Sequence, residues 1–465
     1  MYFTEIDDYK VYGLQITLLD KLLEPVMRQM HLAAFLIAGN IAHSHALWRH
    51  PSSTLGFLEP QLYRDIGKIL ERGKFDLIFF ADRLAVSDSY GLNLEVGIQF
   101  GDQDATRMDP IPVLALLSGS TQFIGLGATR STTYHHPYHV ARAFATLDHL
   151  SGGRAAWNVV TSMNDAEAHN FGFQEHLDHD QRYDRADEFL EVCFKLWDSW
   201  DADALQLDQQ RGYYADPTKV HPIHHVGSWF QSKGPLNIPK SPQGRPVIIQ
   251  AGSSGRGQEF AARWAEIIFT VQPDFASMKV YYQAVKSQLV NHQRKSEHCK
   301  ILPAVMPFIG ETESEALDKQ ALHNELVHPM VGLSTLSSHA NYDFSKHSLD
   351  EPIQNIESRG TKGLLKAVFD FAKTQKLTLG EVSQLYGRSV LVPQIVGTAS
   401  QIVDQLEALF HDYSCDGFVI SPAYLPGAFT EFVEYVIPEL QHRDLFRQDY
   451  QGKTLRDHLQ LANLN

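Results

Sequence analysis

Short runs of Val, Ile, Phe and Ala alternate along the chain with longer stretches in which apolar residues return every third or fourth position. A run that is apolar throughout suits a strand buried on both faces, and the three-four spacing suits a helix laid on a sheet by one stripe. The pattern predicts strands at 31–39, 76–82, 123–129, 154–161, 246–252, 266–270, 301–310 and 416–421. Between them it predicts helices near 58–73, 110–120, 137–150, 181–199, 256–264, 274–293, 312–327 and 398–411. In DQRYDRADEFLEVCFKLW the buried stripe is Ala186, Phe189, Leu190, Cys193 and Trp197, with Asp180 as the expected cap.

Eight strand-helix units point to an α/β fold, a (β/α)8 TIM barrel rather than an open doubly wound sheet. Such a barrel needs about 250 residues, and this chain has 465. The surplus is expected in two large insertions at the C-terminal face, residues 201–244 and 329–395. The first, with Pro217, Pro222, Pro235, Pro239 and Pro242, cannot be one regular element. The chain then reads as a single barrel domain over 1–465, preceded within it by an N-terminal extension, 1–30.

Composition narrows the function classes. Lys and Arg number 40 against 55 Asp and Glu, a net charge of −15, which disfavours a surface built for nucleic acid or anionic membrane. Cys193, Cys299 and Cys415 form no CxxC pair, which fits a reducing, cytoplasmic compartment. No apolar stretch reaches the roughly 20 residues that a bilayer crossing needs. A protein that handles small molecules fits these bounds.

Candidate chemistry gathers at the predicted strand ends, which in a barrel all open on one mouth. Asp82 closes FFAD, Thr129 closes LGAT, Asn158 and Ser162 fall in WNVVTS, and Ser253 and Ser254 follow VIIQAG. The turn QAGSSGRG, opening a helix, can cradle an anion on backbone N–H groups, with Arg256 adding charge. It can equally be a tight connection in which Ser caps and Gly relieves strain. Its spacing is neither GxGxxG nor GxxxxGK[ST], so the phosphate of a smaller cofactor is favoured over a dinucleotide or nucleoside triphosphate. The 23 histidines lack an HExxH or a Cys/His set, so no metal is expected.

The stretches FFADRLA, GLGATRSTTYHHPYHVARAFATLDHLSGGRAAWNVVTS, DHDQRYDRADEFLEVCFKLWDSW, PVIIQAGSSGRGQEFAARWAEIIFT and LFRQDYQGKTLRDHLQL resemble the nitrilotriacetate monooxygenase component A branch of the bacterial luciferase-like superfamily. The resemblance runs from about residue 30 to the C-terminus. It implies a two-component monooxygenase that uses FMNH2 and O2 on a small organic substrate, organosulfur or organonitrogen. The reduced flavin would come from a separate NAD(P)H:flavin reductase, and a homo-oligomer, dimer or tetramer, is implied. Carried over by residue, Asp82, Thr129, Asn158, Ser162, His179, Tyr183, Ser253 and Ser254 are expected around the FMN. Phe79, Trp157 and Phe269 would wall its ring. His43 and His339 resemble substrate-facing positions where an imidazole of ordinary pKa near 6.5 can donate or accept a proton or merely shape the pocket. Two other readings remain: a flavin-independent barrel hydrolase with a carboxylate pair from Asp82, Asp165 or Glu167, and a flavin-degrading protein.

Overall fold

The computed structural model describes residues 28–252, 255–353, 360 and 362–462. Its centre is a closed ring of eight parallel strands: β1 (His31–Ile37), β2 (Leu77–Ala81), β3 (Gly125–Ser131), β4 (Ala155–Val160), β5 (Val247–Gln250), β6 (Ile267–Thr270), β7 (Lys300–Ile309) and β8 (Gly417–Ile420). Each pairs with the next, and β1 closes the ring on β8 with His31 opposite Gly417. All eight predicted strands and the helices between them are present. A further strand, Gln394–Gly397, pairs with the upper half of β7.

The two-residue alternation sorts the strand side chains. Ala33, Leu77, Phe79, Ala156, Val247, Ile249, Ile267, Phe269, Leu302, Ala304 and Val419 fill the interior in one apolar cluster. The intervening residues, Leu36, Ile78, Phe80, Leu126, Ala128, Trp157 and Phe418 among them, face outward into the shell of helices. Trp157 packs on Phe144, Phe189 and Trp197 there. This corrects its expected place beside a flavin ring: on β4 it is Ala156 and Asn158 that share the inward face.

The helix His179–Trp197 buries Ala186, Phe189, Leu190, Cys193 and Trp197, as its stripe requires. Its N-cap is Asp178, so Asp180 is not the cap; it lies in the first turn, 2.7 Å from His179 Nδ1. The N-terminal end of the barrel is plugged by Leu455 and Leu459, which join the interior cluster. Arg456 meets both oxygens of Glu266 at 2.6 and 2.9 Å, and Arg447 pairs with Asp76.

Residues 201–244 hold two short hairpins and depart from the expected C-terminal face. They run along the outside of the flanking helices, where Phe230 packs on Phe189, and they end at the start of β4, where Gln243 Nε2 donates to the Ala155 carbonyl at 2.7 Å. In the second segment the helix Val331–Ala340 lies over the chain beyond β2, where Arg83 Nη1 donates to its Ser338 Oγ at 2.6 Å. All its residues are buried. That helix lies so close to the helix Leu379–Ser389 that a Cβ on Gly332 would meet the Ser383 carbonyl at 1.8 Å.

Candidate active site

The mouth is built from residues at or just past the strand ends. Thr129 on β3 and Asn158 on β4 are register partners, both buried, and Asn158 Nδ2 donates to Thr129 Oγ1 at 2.9 Å. Beyond β4 the chain turns through Ser162 at φ 58°, which brings its hydroxyl 3.0 Å from Glu167 Oε1 and 2.9 Å from Ser131 Oγ. Asp82, one residue past β2, is pushed up to about 6 by burial, against the pull of Arg107 and Arg130. His179 and Tyr183 stand one turn apart at the start of their helix, rings 5.1 Å apart.

Asp82, Ser162, His179 and Tyr183 line one open cleft of about 740 Å³, together with Arg182, Gln250 and Gly252. Thr129 and Asn158 sit on the neighbouring strands. Ser253 and Ser254 lie outside the described residues. Arg256, expected to add charge at this turn, is instead held by Asp184 at 3.1 Å, Asp187 at 2.6 Å and Glu259. It is committed to protein carboxylates.

His43 and His339 do not line that cleft. His43 lies over β1 and β8, where its Nδ1 bonds Ser421 Oγ and its ring stacks on Phe35 at 3.7 Å. Phe79 reaches Phe35 at 5.7 Å and Phe269 at 4.8 Å, so these rings form one aromatic cluster within the barrel interior. His339 sits on the covering helix and bonds the Tyr386 hydroxyl. Desolvation pulls His43 down to about 3, and lowers His339 as well. The ordinary imidazole value near 6.5 therefore applies to neither; both are neutral at physiological pH.

The cover is held by a buried ionic cluster that the sequence did not reveal. Arg83 Nη1 donates to Asp104 and to Ser338 Oγ at 2.6 Å; Arg107 pairs with Asp104 at 3.0 Å; Ser334 donates to Asp102 at 2.6 Å. Arg83 is thus compensated internally. So are the remaining carboxylates of the hydrolase reading: Glu167 accepts from Ser162, Leu84 N and Met163 N, and Asp165 accepts from His176 N and Asn341. Glu167 thus accepts three hydrogen bonds and Asp165 two, which ties each carboxylate to the surrounding loops.

Two side chains near the mouth each have one buried atom that bonds no described residue. Arg182, 2% exposed, has an Nε with no acceptor. Asn158, 4% exposed, has an Oδ1 with no donor. Of the two, Arg182 lines the cleft, and a cation there without a carboxylate partner among the described residues suits a ligand that carries an anion, as the phosphate of FMN does. The signal for Arg182 was present in the sequence: it is four residues before Ala186 and continues the buried stripe, where a charge has no reason to be. Among the described residues no group of three His, Cys, Asp or Glu side chains is placed to hold a metal ion, and no helix is long and apolar enough to cross a membrane.

A closed parallel barrel whose ligand cleft opens at the strand C-termini defines the TIM-barrel class of enzymes. Residues 43–416 match the model of the luciferase-like monooxygenases, and the chain belongs to that family. It is 51% identical to the dibenzothiophene-sulfone monooxygenase of Rhodococcus erythropolis (strain XP), over 93% of this chain and 97% of the relative. It is 42% identical to nitrilotriacetate monooxygenase component A of Aminobacter aminovorans, over 94% and 97%. Among solved structures, a riboflavin lyase with modified FMN and substrate riboflavin superposes with a TM-score of 0.87 at 33% identity, covering 94% of this chain and 96% of that one.

Proposed function

We propose that this chain is the oxygenase of a two-component system, which takes FMNH2 from a separate NAD(P)H:flavin reductase and oxidises a small organosulfur compound with O2. The observation that carries this reading is the cleft itself, lined by Asp82, Ser162, His179, Arg182 and Tyr183 in a chain of the luciferase-like monooxygenase family. Asp82, Thr129, Asn158, Ser162, His179 and Tyr183 would hold the flavin, and the reduced flavin, when bound, supplies the electrons for oxygen activation. The protein's part is to orient the ring, exclude water and set the substrate against it. The organosulfur preference is supported by the dibenzothiophene-sulfone monooxygenase relative. His43 and His339, neutral by desolvation, act as hydrogen-bonding groups that shape the substrate pocket, not as imidazolium acids.

The test is stopped-flow mixing of the FMNH2-loaded chain with oxygen in the presence of a substrate panel of sulfones, sulfides and aminopolycarboxylates, with mass spectrometry of the products. Oxygen consumption coupled to an oxygenated sulfur compound is expected. Failure to bind FMNH2 counts against the reading, as does oxygen uptake that yields only hydrogen peroxide with every compound. A second reading, in which the flavin is itself degraded, has the riboflavin lyase likeness in its favour. Recovery of intact FMN after turnover counts against it.

A further inference from the structure

Four buried histidines beyond the strand ends use their ring nitrogens differently. His45 spends both on protein, Nδ1 on the Gly387 carbonyl at 2.9 Å and Nε2 on Thr335 Oγ1 at 2.6 Å. His323 does likewise, with Asn324 Oδ1 at 3.0 Å and Ser44 Oγ at 2.6 Å. His43 and His339 spend one each: Nδ1 of His43 bonds Ser421 Oγ, and Nδ1 of His339 bonds the Tyr386 hydroxyl. Their Nε2 atoms bond no described residue, and the two side chains keep 7% and 6% exposure.

The partners decide where the proton sits. Ser421 and Tyr386 are each 0% exposed, and each hydroxyl has the imidazole as its one described side-chain partner. A buried hydroxyl that only accepted would leave its own hydrogen unbonded, which native structures rarely tolerate; donation to a bare Nδ1 satisfies both groups. Burial raises the tyrosine hydroxyl, which keeps it protonated, and desolvation keeps both imidazoles neutral. A neutral imidazole that accepts at Nδ1 carries its hydrogen on Nε2. Each histidine therefore retains one N–H donor for which no described residue supplies an acceptor.

The surroundings narrow what such a donor meets. Phe35, the one residue of β1 that is only partly buried, lies against the His43 ring at 3.7 Å and fixes its plane. The cations nearest His339, Arg83 and Arg107, are both taken by Asp104, so they offer no counter-charge to an anionic substrate. An uncharged molecule with an apolar body and an acceptor oxygen fits.

We propose that Ser421 and Tyr386 are positioning residues for substrate recognition: by donating to Nδ1 they hold His43 and His339 in the tautomer that presents Nε2–H, and the pocket thereby selects an uncharged sulfone or sulfoxide over the sulfide of the same shape. The substrate half of this inference rests on the organosulfur reading above; the tautomers rest on the fold alone. A site built to bond a substrate oxygen rejects the analogue that lacks it, because its own donors are then left buried and unpaired.

Two measurements on the full chain test this in wild type, Ser421→Ala and Tyr386→Phe. The first is 15N NMR of histidine-labelled protein, with the two signals identified by their loss in His43→Gln and His339→Gln. Wild type is expected to show a protonated Nε2 and a bare Nδ1 at both residues, and each variant a mixture of tautomers at its own histidine. The second is equilibrium binding of dibenzothiophene sulfone and of dibenzothiophene. Sulfone affinity is expected to fall about threefold to tenfold in each variant, the worth of one hydrogen bond, while dibenzothiophene affinity stays within about twofold. Unchanged dibenzothiophene binding shows that each variant still has a folded pocket. A wild-type histidine with its proton on Nδ1 overturns the assignment for that residue. Variants that weaken both compounds alike, or neither, overturn the selection. A wild-type chain with the expected tautomers that binds neither compound overturns the organosulfur reading, and the selection with it, and leaves the tautomers standing.

Discussion

At the N-terminal end of the barrel Arg456, 2% exposed, meets Glu266 at 2.6 and 2.9 Å; at the C-terminal mouth Arg182, also 2% exposed, meets no carboxylate. Both side chains were stripped of water when the barrel formed. At the plugged end burial opposes ionisation of Glu266, yet Arg456 and Arg245 hold its carboxyl below the ordinary range. Asp76 is likewise drawn down to about 2, burial notwithstanding, by Arg447 and His31. The cover over the mouth follows the same rule, with Arg83 and Arg107 sharing Asp104. The difference separates charges that complete the fold from one that the fold leaves for a ligand.

The contrast gives opposite signs to similar substitutions. Glu266→Gln keeps the shape and removes the charge opposite buried Arg456 and half-buried Arg245, so it is expected to destabilise by about 3–5 kcal/mol, read from denaturant unfolding. Arg182→Met removes a charge that has no partner, and without flavin it is expected to leave stability unchanged or raise it by about 1–3 kcal/mol. The same variant is expected to lose most of the thermal shift that saturating FMN gives wild type, because only the folded state binds it. A loss of several kcal/mol in the flavin-free Arg182→Met chain contradicts the comparison.

Protonation separates the two ends as well. Asp82, raised to about 6 by burial, binds its proton more tightly folded than unfolded. Stability from this group is therefore present at low pH and lost as pH rises between the ordinary carboxylate value and about 6, by at most about 1.4 kcal/mol per pH unit. Asp82→Asn is expected to flatten that part of the stability profile, whereas Glu266→Gln leaves it in place. The smallest effect belongs to exposed pairs: Arg72→Ala, which breaks a 3.1 Å contact with Glu434 between two largely solvated side chains, is expected to change stability by less than about 1 kcal/mol.

The barrel is legible in the sequence because its strands are apolar on both faces, so that VIIQ, LIFFA and IIFT stand out against the helices around them. Their alternation defines two faces but not which one is inside, and Trp157 falls on the face opposite to the one expected; only the register of β4 against β3 settles it. Asp178 and Asp180 are equally plausible caps two residues apart, and the chain enters the helix at Asp178, whose side chain makes no capping hydrogen bond. Prolines mark 201–244 as irregular without saying where it packs. Arg256 and Arg182 look alike in sequence as cations near a candidate anion site, because two of the three carboxylates that occupy Arg256, Asp184 and Asp187, lie on a helix some seventy residues earlier. Strand ends and resemblance nonetheless name four of the residues that line the cleft, Asp82, Ser162, His179 and Tyr183. Arg182 is marked in the sequence only by its place on the buried stripe, four residues before Ala186.

A crystal structure of the chain with FMN tests the central claim most directly. The account predicts the phosphate oxygens within hydrogen-bond distance of the Arg182 guanidinium, the ring over Phe79 and Phe269, and the Asn158 Oδ1 accepting a hydrogen bond. A flavin bound with its phosphate elsewhere, and Arg182 paired to a protein carboxylate, contradicts it.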